Sequence, residues 1–408
     1  MKCRHCHTPL TLPLVDLATS PPSNAYLRTD QLDSPERWYP LRVLVCEHCW
    51  LVQTEDFTQA DQLFDADYAY FSSFSDAWLK HAQSYVTTMI ERFGLSAAHR
   101  VVEIASNDGY LLQYVQTAGI PCYGIEPTAS TAAAARAKGV ESIECFFGTA
   151  LAEELVAQGR QADLIAANNV LAHVPDINDF VAGFAQLLTP AGVATFEFPH
   201  LLKLLEHCQF DTIYHEHFSY LSLTAVARIF EANGLQVFDV EEWPTHGGSL
   251  RVFAQRAGGP HDVSPAVAAM LTRETQTGLT QRDTYHSFQA RAEAIKNAFV
   301  GFLLECKARG ERVAAYGAAA KGNTLINFAG IRADLLAYVV DRNPAKQGKF
   351  LPGSRIPIVS PDHLIADQPA WIVILPWNLR DEVIGQMAEA RQWGARFVTA
   401  IPDLAVHA

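Results

Sequence analysis

Between Asp211 and Tyr220 the chain reads Asp-Thr-Ile-Tyr-His-Glu-His-Phe-Ser-Tyr, which sets His215, Glu216 and His217 side by side between Tyr214 and Tyr220. Imidazole is the side chain best suited to exchange a proton near neutral pH. A carboxylate such as Glu216 can orient a histidine or accept a hydrogen bond itself. A single histidine is more often structural than catalytic. The clustering here, just beyond an apolar stretch ending at Phe198-Pro199, marks a candidate proton-transfer site. The His-Glu-His spacing is not the His-Glu-x-x-His of zinc proteases.

A second chemistry is written at the N-terminus. Cys3-Arg4-His5-Cys6 is matched by Cys46-Glu47-His48-Cys49. A two-residue gap lets both thiolates of one knuckle reach one tetrahedral Zn²⁺, and two knuckles complete the four ligands. Such a closed Cys3, Cys6, Cys46, Cys49 site has no open position, so its expected role is structural. His5, His7 and His48 are nearby alternative ligands. A redox pair would want a helix N-terminus after a strand, which Cys3 lacks. The remaining cysteines, 122, 145, 208 and 306, are scattered, which fits cytosolic thiols and not a disulfide framework.

Three strand-end segments suggest a nucleoside ligand. Val101-Val102-Glu103-Ile104 runs into Ala105-Ser106-Asn107-Asp108-Gly109, a strand followed by a tight loop of small residues and then a helix. Backbone amides at such a helix start can approach a ligand. The first glycines of a Gly-x-Gly-x-x-Gly are missing, so phosphate cradling is not supported. Some 20 residues on, Glu126-Pro127 ends the next strand, where a carboxylate can bind both hydroxyls of a ribose. By itself Glu126 reads equally as an exposed loop acid. A third strand ends in Asn168-Asn169-Val170-Leu171-Ala172-His173. Together the three have the layout of an S-adenosylmethionine site.

Other segments could hold an anion. Pro244-Thr245-His246-Gly247-Gly248-Ser249-Leu250-Arg251 offers two glycines beside Ser249 and Arg251, although a hairpin turn explains it as well. Tyr316-Gly317-Ala318-Ala319-Ala320-Lys321-Gly322-Asn323-Thr324 has the makings of a phosphate nest with one lysine. Asp341-Arg342-Asn343-Pro344-Ala345-Lys346 could close on the same ligand.

The elements that must position these residues follow from patterning. The chain has 408 residues, 49% of them hydrophobic and 18% charged, enough for two or three cores. Its net charge of −13 disfavours a nucleic-acid partner. No secretory signal and no membrane-length apolar run is visible, which points to the cytoplasm. Residues 1–55 are turn-rich with one strand, Tyr39–Cys46, and too little apolar material for a core, so a metal would supply stability. Asp76 to Phe93 reads as an amphipathic helix ended by Gly94. From Arg100, strands and helices alternate, and residues 235–256 look antiparallel. A polar helical stretch spans Pro265–Arg309, and a second α/β pattern follows from Arg312. The expected fold is α/β: a zinc module at 1–56, a Rossmann-like domain at 57–258 and a smaller Rossmann-like domain at 259–408.

In order along nearly the whole chain, the Cys pairs, the Tyr70-Phe71-Ser72-Ser73 loop, the Glu103 loop, Tyr-His-Glu-His, His-Gly-Gly-Ser-Leu-Arg, Tyr-Gly-Ala-x-x-Lys-Gly-Asn and Asp-x-Asn-Pro-x-Lys-Gln-Gly resemble the sugar-nucleotide C-methyltransferases of deoxysugar biosynthesis. The resemblance implies a zinc-binding N-terminal domain, a class I S-adenosylmethionine-binding domain and a C-terminal domain that helps hold a TDP- or GDP-linked keto sugar. It implies His217 as general base, with Tyr214, His215, Glu216 and Tyr70 lining the sugar. Glu103, Ala105, Ser106, Asn107, Gly109, Glu126, Pro127, Asn168, Asn169 and His173 would face the cofactor. His246, Ser249, Arg251, Tyr316, Lys321, Asn323, Asp341 and Lys346 would face the nucleotide sugar. The rival readings are an O- or N-methyltransferase, which would leave the histidine cluster idle, a non-catalytic binding protein, and a nicotinamide oxidoreductase, which lacks its Gly-x-Gly-x-x-Gly.

Overall fold

Residues 1–57 and 71–407 are described by a computed structural model, and within them the strands assemble into three sheets. The first begins with β1 (Leu12–Ser20), β2 (Tyr39–Val45) and β3 (Val52–Thr54), paired antiparallel in that order. β1 was not expected. Leu12, Leu14, Val15 and Leu17 point inward, but register shifts at Pro13/Val15 and Asp16/Thr19 break the alternation that would reveal a strand. Pro13 is tolerated because it lies on the exposed side.

The N-terminal region, expected to lack a core of its own and to gain stability from a metal, also draws on a shared core. Leu14, Leu17, Leu41 and Val43 share one apolar cluster with Phe288, Phe299 and Leu303 of the helix Phe288–Ala308 and with Val313 and Val373 near the C-terminus. The N-terminal sheet borrows a core from residues nearly three hundred positions away.

The second sheet holds β4 (Val101–Ile104), β5 (Cys122–Ile125), β6 (Ser142–Ile143), β7 (Ala162–Asn168) and β8 (Leu188–Pro199), all parallel. The next strand, β9 (Ser219–Tyr220), leaves this sheet and pairs with β3 at the edge of the first. β10 (Leu235–Trp243) and β11 (Ser249–Arg256) return as an antiparallel pair on β8, giving the order β6-β5-β4-β7-β8-β11-β10. Strands buried on both faces, such as β4, explain the continuous apolar runs. The strand order reverses between β4 and β7, which opens a crevice at their carboxyl ends. The helix Asp76–Phe93 lies where expected: Ser75 caps it by accepting from the Trp78 amide, and Gly94 closes it at φ 61°.

The expected helical stretch over 265–309 is three helices, Pro265–Gln276, Asp283–His286 and Phe288–Ala308, with Gly278 at φ 82° just past the first. Val267 and Met270 pack into the core of the second sheet. The third sheet comprises β12 (Val313–Tyr316), β13 (Val339–Val340), β14 (Ile358–Val359), β15 (Trp371–Ile374) and β16 (Arg396–Thr399), parallel, and β17 (Ala405–His407), antiparallel. Its order also reverses, between β12 and β15. The fold is α/β, built on two parallel Rossmann-like sheets with a cysteine-bearing N-terminal sheet. No helix among the described residues is long and apolar enough to cross a membrane.

Candidate active site

The two cysteine knuckles meet. The sulfurs of Cys3, Cys6, Cys46 and Cys49 all lie within 4.8 Å of one another, the geometry a tetrahedral thiolate site needs. Gln53 donates to Cys3 Sγ at 3.2 Å and its carbonyl accepts the Arg4 amide at 2.9 Å, which ties the first knuckle to β3. His5 turns away to Asn178 at 2.8 Å.

At the mouth between β4 and β7 the backbone is bent to expose polar groups. Ala105, Asn107 and Asn169 all adopt positive φ (56°, 49° and 55°). Gly124 is required here, since a Cβ would stand 2.1 Å from Ser106 Oγ. The Glu126 carboxylate accepts the amides of Asn107 and Thr128, both at 2.9 Å, and so fixes the loop as well as lining it. Burial raises the Glu126 pKa and pushes Glu103, deeper in β4 beside Tyr110, well above the ordinary carboxylate range. Ser106 Oγ and the side-chain oxygens of Asn168 and Asn169 are buried without a protein partner among the described residues. Buried acceptors in that state call for a donor. The Ser72 amide donates to Asn107 Oδ1 at 2.9 Å, and Ser73 bonds Asp108, so the Phe71–Ser73 segment closes over the loop. Tyr70, its expected tyrosine, lies outside the described residues.

The histidine cluster stands beside this mouth. The Phe218 amide bonds the Ala172 carbonyl at 2.8 Å, which brings the β7 loop against the Tyr-His-Glu-His segment. His173, expected at the cofactor, is ring to ring with His217 at 4.7 Å, and Tyr214 lies 4.0 Å from the same ring. His217 Nδ1 is 2.8 Å from the Thr212 carbonyl. A carbonyl only accepts, so Nδ1 carries the hydrogen and Nε2 keeps a lone pair. Burial holds His217 well below its usual pKa, helped by neighbouring His173, and burial brings His173 to about 4. Both rings are therefore neutral at physiological pH. Glu216 accepts from Asn24 at 2.7 Å, and burial pushes its carboxyl up to about 7.

Several expected ligand residues do other work. His215 turns out of the cluster to the first sheet: its Nε2 meets the Pro40 carbonyl at 3.2 Å, with Tyr39 at its edge. Arg251 is 1% exposed, bound to Glu197 at 2.7 Å and flanked by Tyr85 and Trp243, so it cannot reach an anionic ligand. Burial tends to raise Glu197, but His81 and Arg251 hold it at about 2. Ser249 donates to the Thr245 carbonyl at 2.9 Å and fixes the turn. Tyr316 lies on the opposite face of β12, bonded to Gln386 at 2.9 Å. His246 stays at the mouth, 3.0 Å from Asn169, and burial lowers it to about 4.

At the carboxyl edge of the third sheet Lys346 and Asp341 pair at 3.7 Å, and Lys321 sits against Asn378 and the Trp377 ring. Lys346 Nζ donates to the Ala318 carbonyl at 2.8 Å and stands over the Tyr26 ring, while Asp341 accepts the Ala318 amide at 2.8 Å. Asn323 donates to the Ser23 carbonyl at 2.6 Å. Tyr26 reaches the Ala318 carbonyl at 2.6 Å, and neighbouring Asn24 reaches Glu216, so the 21–26 loop links this edge to the histidine cluster. Asn24, Tyr26, Asp211 and Trp377 were not singled out from sequence. Asn24 and Tyr26 carry only the weak signal of amide and aromatic side chains in a Pro-Pro-Ser loop.

Residues 244–402 match the C-methyltransferase C-terminal domain model, residues 78–240 a methyltransferase domain, and residues 3–64 a zinc-binding domain. The C-methyltransferase NovU of Streptomyces niveus is 36% identical over 402 residues, covering 98% of this chain and 96% of that protein. A ubiquinone biosynthesis O-methyltransferase of Bordetella avium is 31% identical over 108 residues, 26% of this chain and 45% of that one. Among solved structures, magnesium protoporphyrin IX methyltransferase from Synechocystis aligns with 44% of this chain and 79% of its own, at 17% identity and a TM-score of 0.34.

Proposed function

The chain belongs to the C-methyltransferase family, and from that premise we propose that it methylates the carbon alpha to the ketone of a 4-keto-deoxysugar nucleotide, with C-3 the favoured position. The observation that carries this reading is the neutral His217, whose Nδ1 is held by the Thr212 carbonyl, so that Nε2 keeps its lone pair. A sugar carbon is nucleophilic only as an enolate, so a base must come first. Nε2 takes the proton beside the ketone, and the positive charge formed strengthens the Nδ1–H···O bond to Thr212. Base catalysis of this kind contributes roughly 10²–10⁴-fold. Tyr214, packed on the same ring, is the donor that would receive charge on the enolate oxygen, while His173 packs on the ring from another side.

S-adenosylmethionine supplies the electrophilic methyl group. The residues present fit it: Glu126 lies where ribose hydroxyls are bound, and the orphaned oxygens of Ser106, Asn168 and Asn169 would accept from its hydroxyl and ammonium groups. The four cysteines fit a structural Zn²⁺. Lys346 and Lys321 give the otherwise acidic protein local cations for a TDP- or GDP-linked diphosphate. The protein would work in the cytoplasm on a small molecule.

The test is single-turnover transfer of labelled methyl from S-adenosylmethionine to a panel of 4-keto-6-deoxy sugar nucleotides, with NMR of the product. A new methyl on C-3 or C-5 supports the reading. Transfer to oxygen or nitrogen, or to none of the panel while S-adenosylmethionine still binds, overturns it.

A further inference from the structure

Three segments remote in sequence meet on one side chain, Trp377, in the loop after β15. Its indole Nε1 donates to Asp211 Oδ2 at 2.8 Å. Its ring carries Lys321 Nζ at 4.6 Å, and Lys321 also donates to the adjacent Asn378 at 2.7 Å. Its far edge fills the space at Gly247, where a Cβ would stand 2.4 Å from the indole. Gly247, at φ 90°, is held in turn by Gln209 donating to its carbonyl at 2.9 Å. Beside this contact, Thr324 donates to the Ile213 carbonyl at 2.8 Å.

The segment so gripped, 209–213, leads directly into the histidine cluster. Asp211 is 1% exposed and has one oxygen on Trp377. The next residue, Thr212, provides the carbonyl that fixes the His217 tautomer. The carbonyl between residues 212 and 213 is therefore aimed by a short turn anchored at one end by Trp377 through Asp211 and at the other by Thr324 through Ile213.

We infer that Trp377 is a positioning residue that transmits the placement of the third sheet's ligand-holding edge to His217, through the hydrogen bond to Asp211 and the carbonyl of Thr212. It touches no reacting atom. When Lys321 and its neighbours are set around a nucleotide, the indole that Lys321 covers is set with them, and the base is held in its proton-accepting tautomer. The inference rests on His217 being the base, as proposed above. It adds that the third sheet contributes to proton abstraction as well as to binding.

The experiment compares Trp377→Phe, Asp211→Ala, Asp211→Asn and His217→Gln in the full-length zinc-loaded protein. Trp377→Phe keeps an aromatic ring but deletes the donor together with the indole edge at Gly247. Its kcat for methyl transfer should fall about tenfold or more while KM for the sugar nucleotide moves less than about threefold, as a misplaced base would dictate. ¹⁵N NMR of labelled histidine, with His217 identified from the signal lost in His217→Gln, should show the Nδ1–H form in wild type and a tautomer mixture in Trp377→Phe. Asp211→Asn retains an acceptor and should restore most of the rate lost in Asp211→Ala. The double variant Trp377→Phe/Asp211→Ala should be no worse than either single one.

An unchanged tautomer and kcat in Trp377→Phe would overturn the inference. If that variant does not fold, the Asp211 pair decides: equal losses in Asp211→Ala and Asp211→Asn would place the effect on charge beside Lys321 and sink the hydrogen-bond account. Full activity in His217→Gln would overturn the base assignment itself. An inactive His217→Gln beside a wild-type Trp377→Phe would overturn the coupling alone.

Discussion

The two parallel sheets of this protein have the same kind of carboxyl edge and use it differently. At the β4–β7 mouth, Ser106, Asn168 and Asn169 keep buried oxygens without partners among the described residues, and three non-glycine residues hold positive φ. At the β12–β15 edge, Lys321, Asp341 and Lys346 are engaged by Asn378, Ala318 and Tyr26, and the unpartnered oxygens among the described residues there, on Ser23, Asp211 and Asn323, belong to side chains that already bind the loops around the edge or lie beside them. Unsatisfied buried acceptors and strained backbone cost stability unless a ligand answers them. The first edge is thus shaped to receive a molecule with many donors. The second is already knitted to the N-terminal loop and to the 209–217 segment, and under the proposed function it serves as a clamp. A shared architecture does not fix a shared task; the polar atoms at the edge do.

The largest way to break this comparison lies at the junction of the two edges. His217→Gln should reduce methyl transfer by roughly 10²–10⁴ while calorimetry shows S-adenosylmethionine binding unchanged, because the base belongs to neither edge's binding set. The edges themselves can then be separated. Asn169→Ala should weaken S-adenosylmethionine about tenfold, a loss of about one hydrogen bond, and leave sugar-nucleotide binding alone. Lys346→Met should do the reverse, raising KM for the sugar nucleotide about tenfold. If both variants weaken both ligands alike, the division of labour between the edges is wrong.

A separate effect, on stability and independent of either edge, concerns pH. Burial raises the Glu216 carboxyl to about 7, above its ordinary value. The native state therefore prefers the protonated form. Below the unfolded pKa both states are protonated and nothing is gained or lost. Above pH 7 the native state must bury a charge. Glu216→Gln should consequently be more stable than wild type at pH 8, by at most about 3 kcal/mol, and equal to it near pH 4. Thermal melts across that range read this directly.

Much of this organisation was legible in the sequence. The Cys-x-x-Cys pairs, the helix from Asp76 to Gly94 and the buried runs of the parallel strands each follow a local rule of spacing, capping or period. What escaped was non-local. β1 hides because two register shifts break its alternation. β9 is two residues long and is a strand only because β3 lies beside it. Tyr316 was assigned to the ligand side although Ala315, not Tyr316, faces the core shared with the clamp; in Val-Ala-Ala-Tyr no polar contrast marks the two faces. Arg251 looked like an anion binder because charge is visible in sequence and burial against Glu197 is not. His173 was read with the cofactor loop that holds it, and the contact between Phe218 and Ala172 brings that loop to His217. Trp377 has no motif at all; its role is defined entirely by the three segments that meet on it.

The most direct test of the central claim is exchange of the proton alpha to the ketone. A 4-keto-6-deoxy sugar nucleotide is incubated with enzyme and S-adenosylhomocysteine in D₂O, and the loss of the C-3 and C-5 proton signals is followed by NMR. The account predicts exchange at one of these carbons that is catalysed by wild type and falls to the uncatalysed rate in His217→Gln, with the nucleotide still bound. Exchange at the wild-type rate in His217→Gln would contradict it.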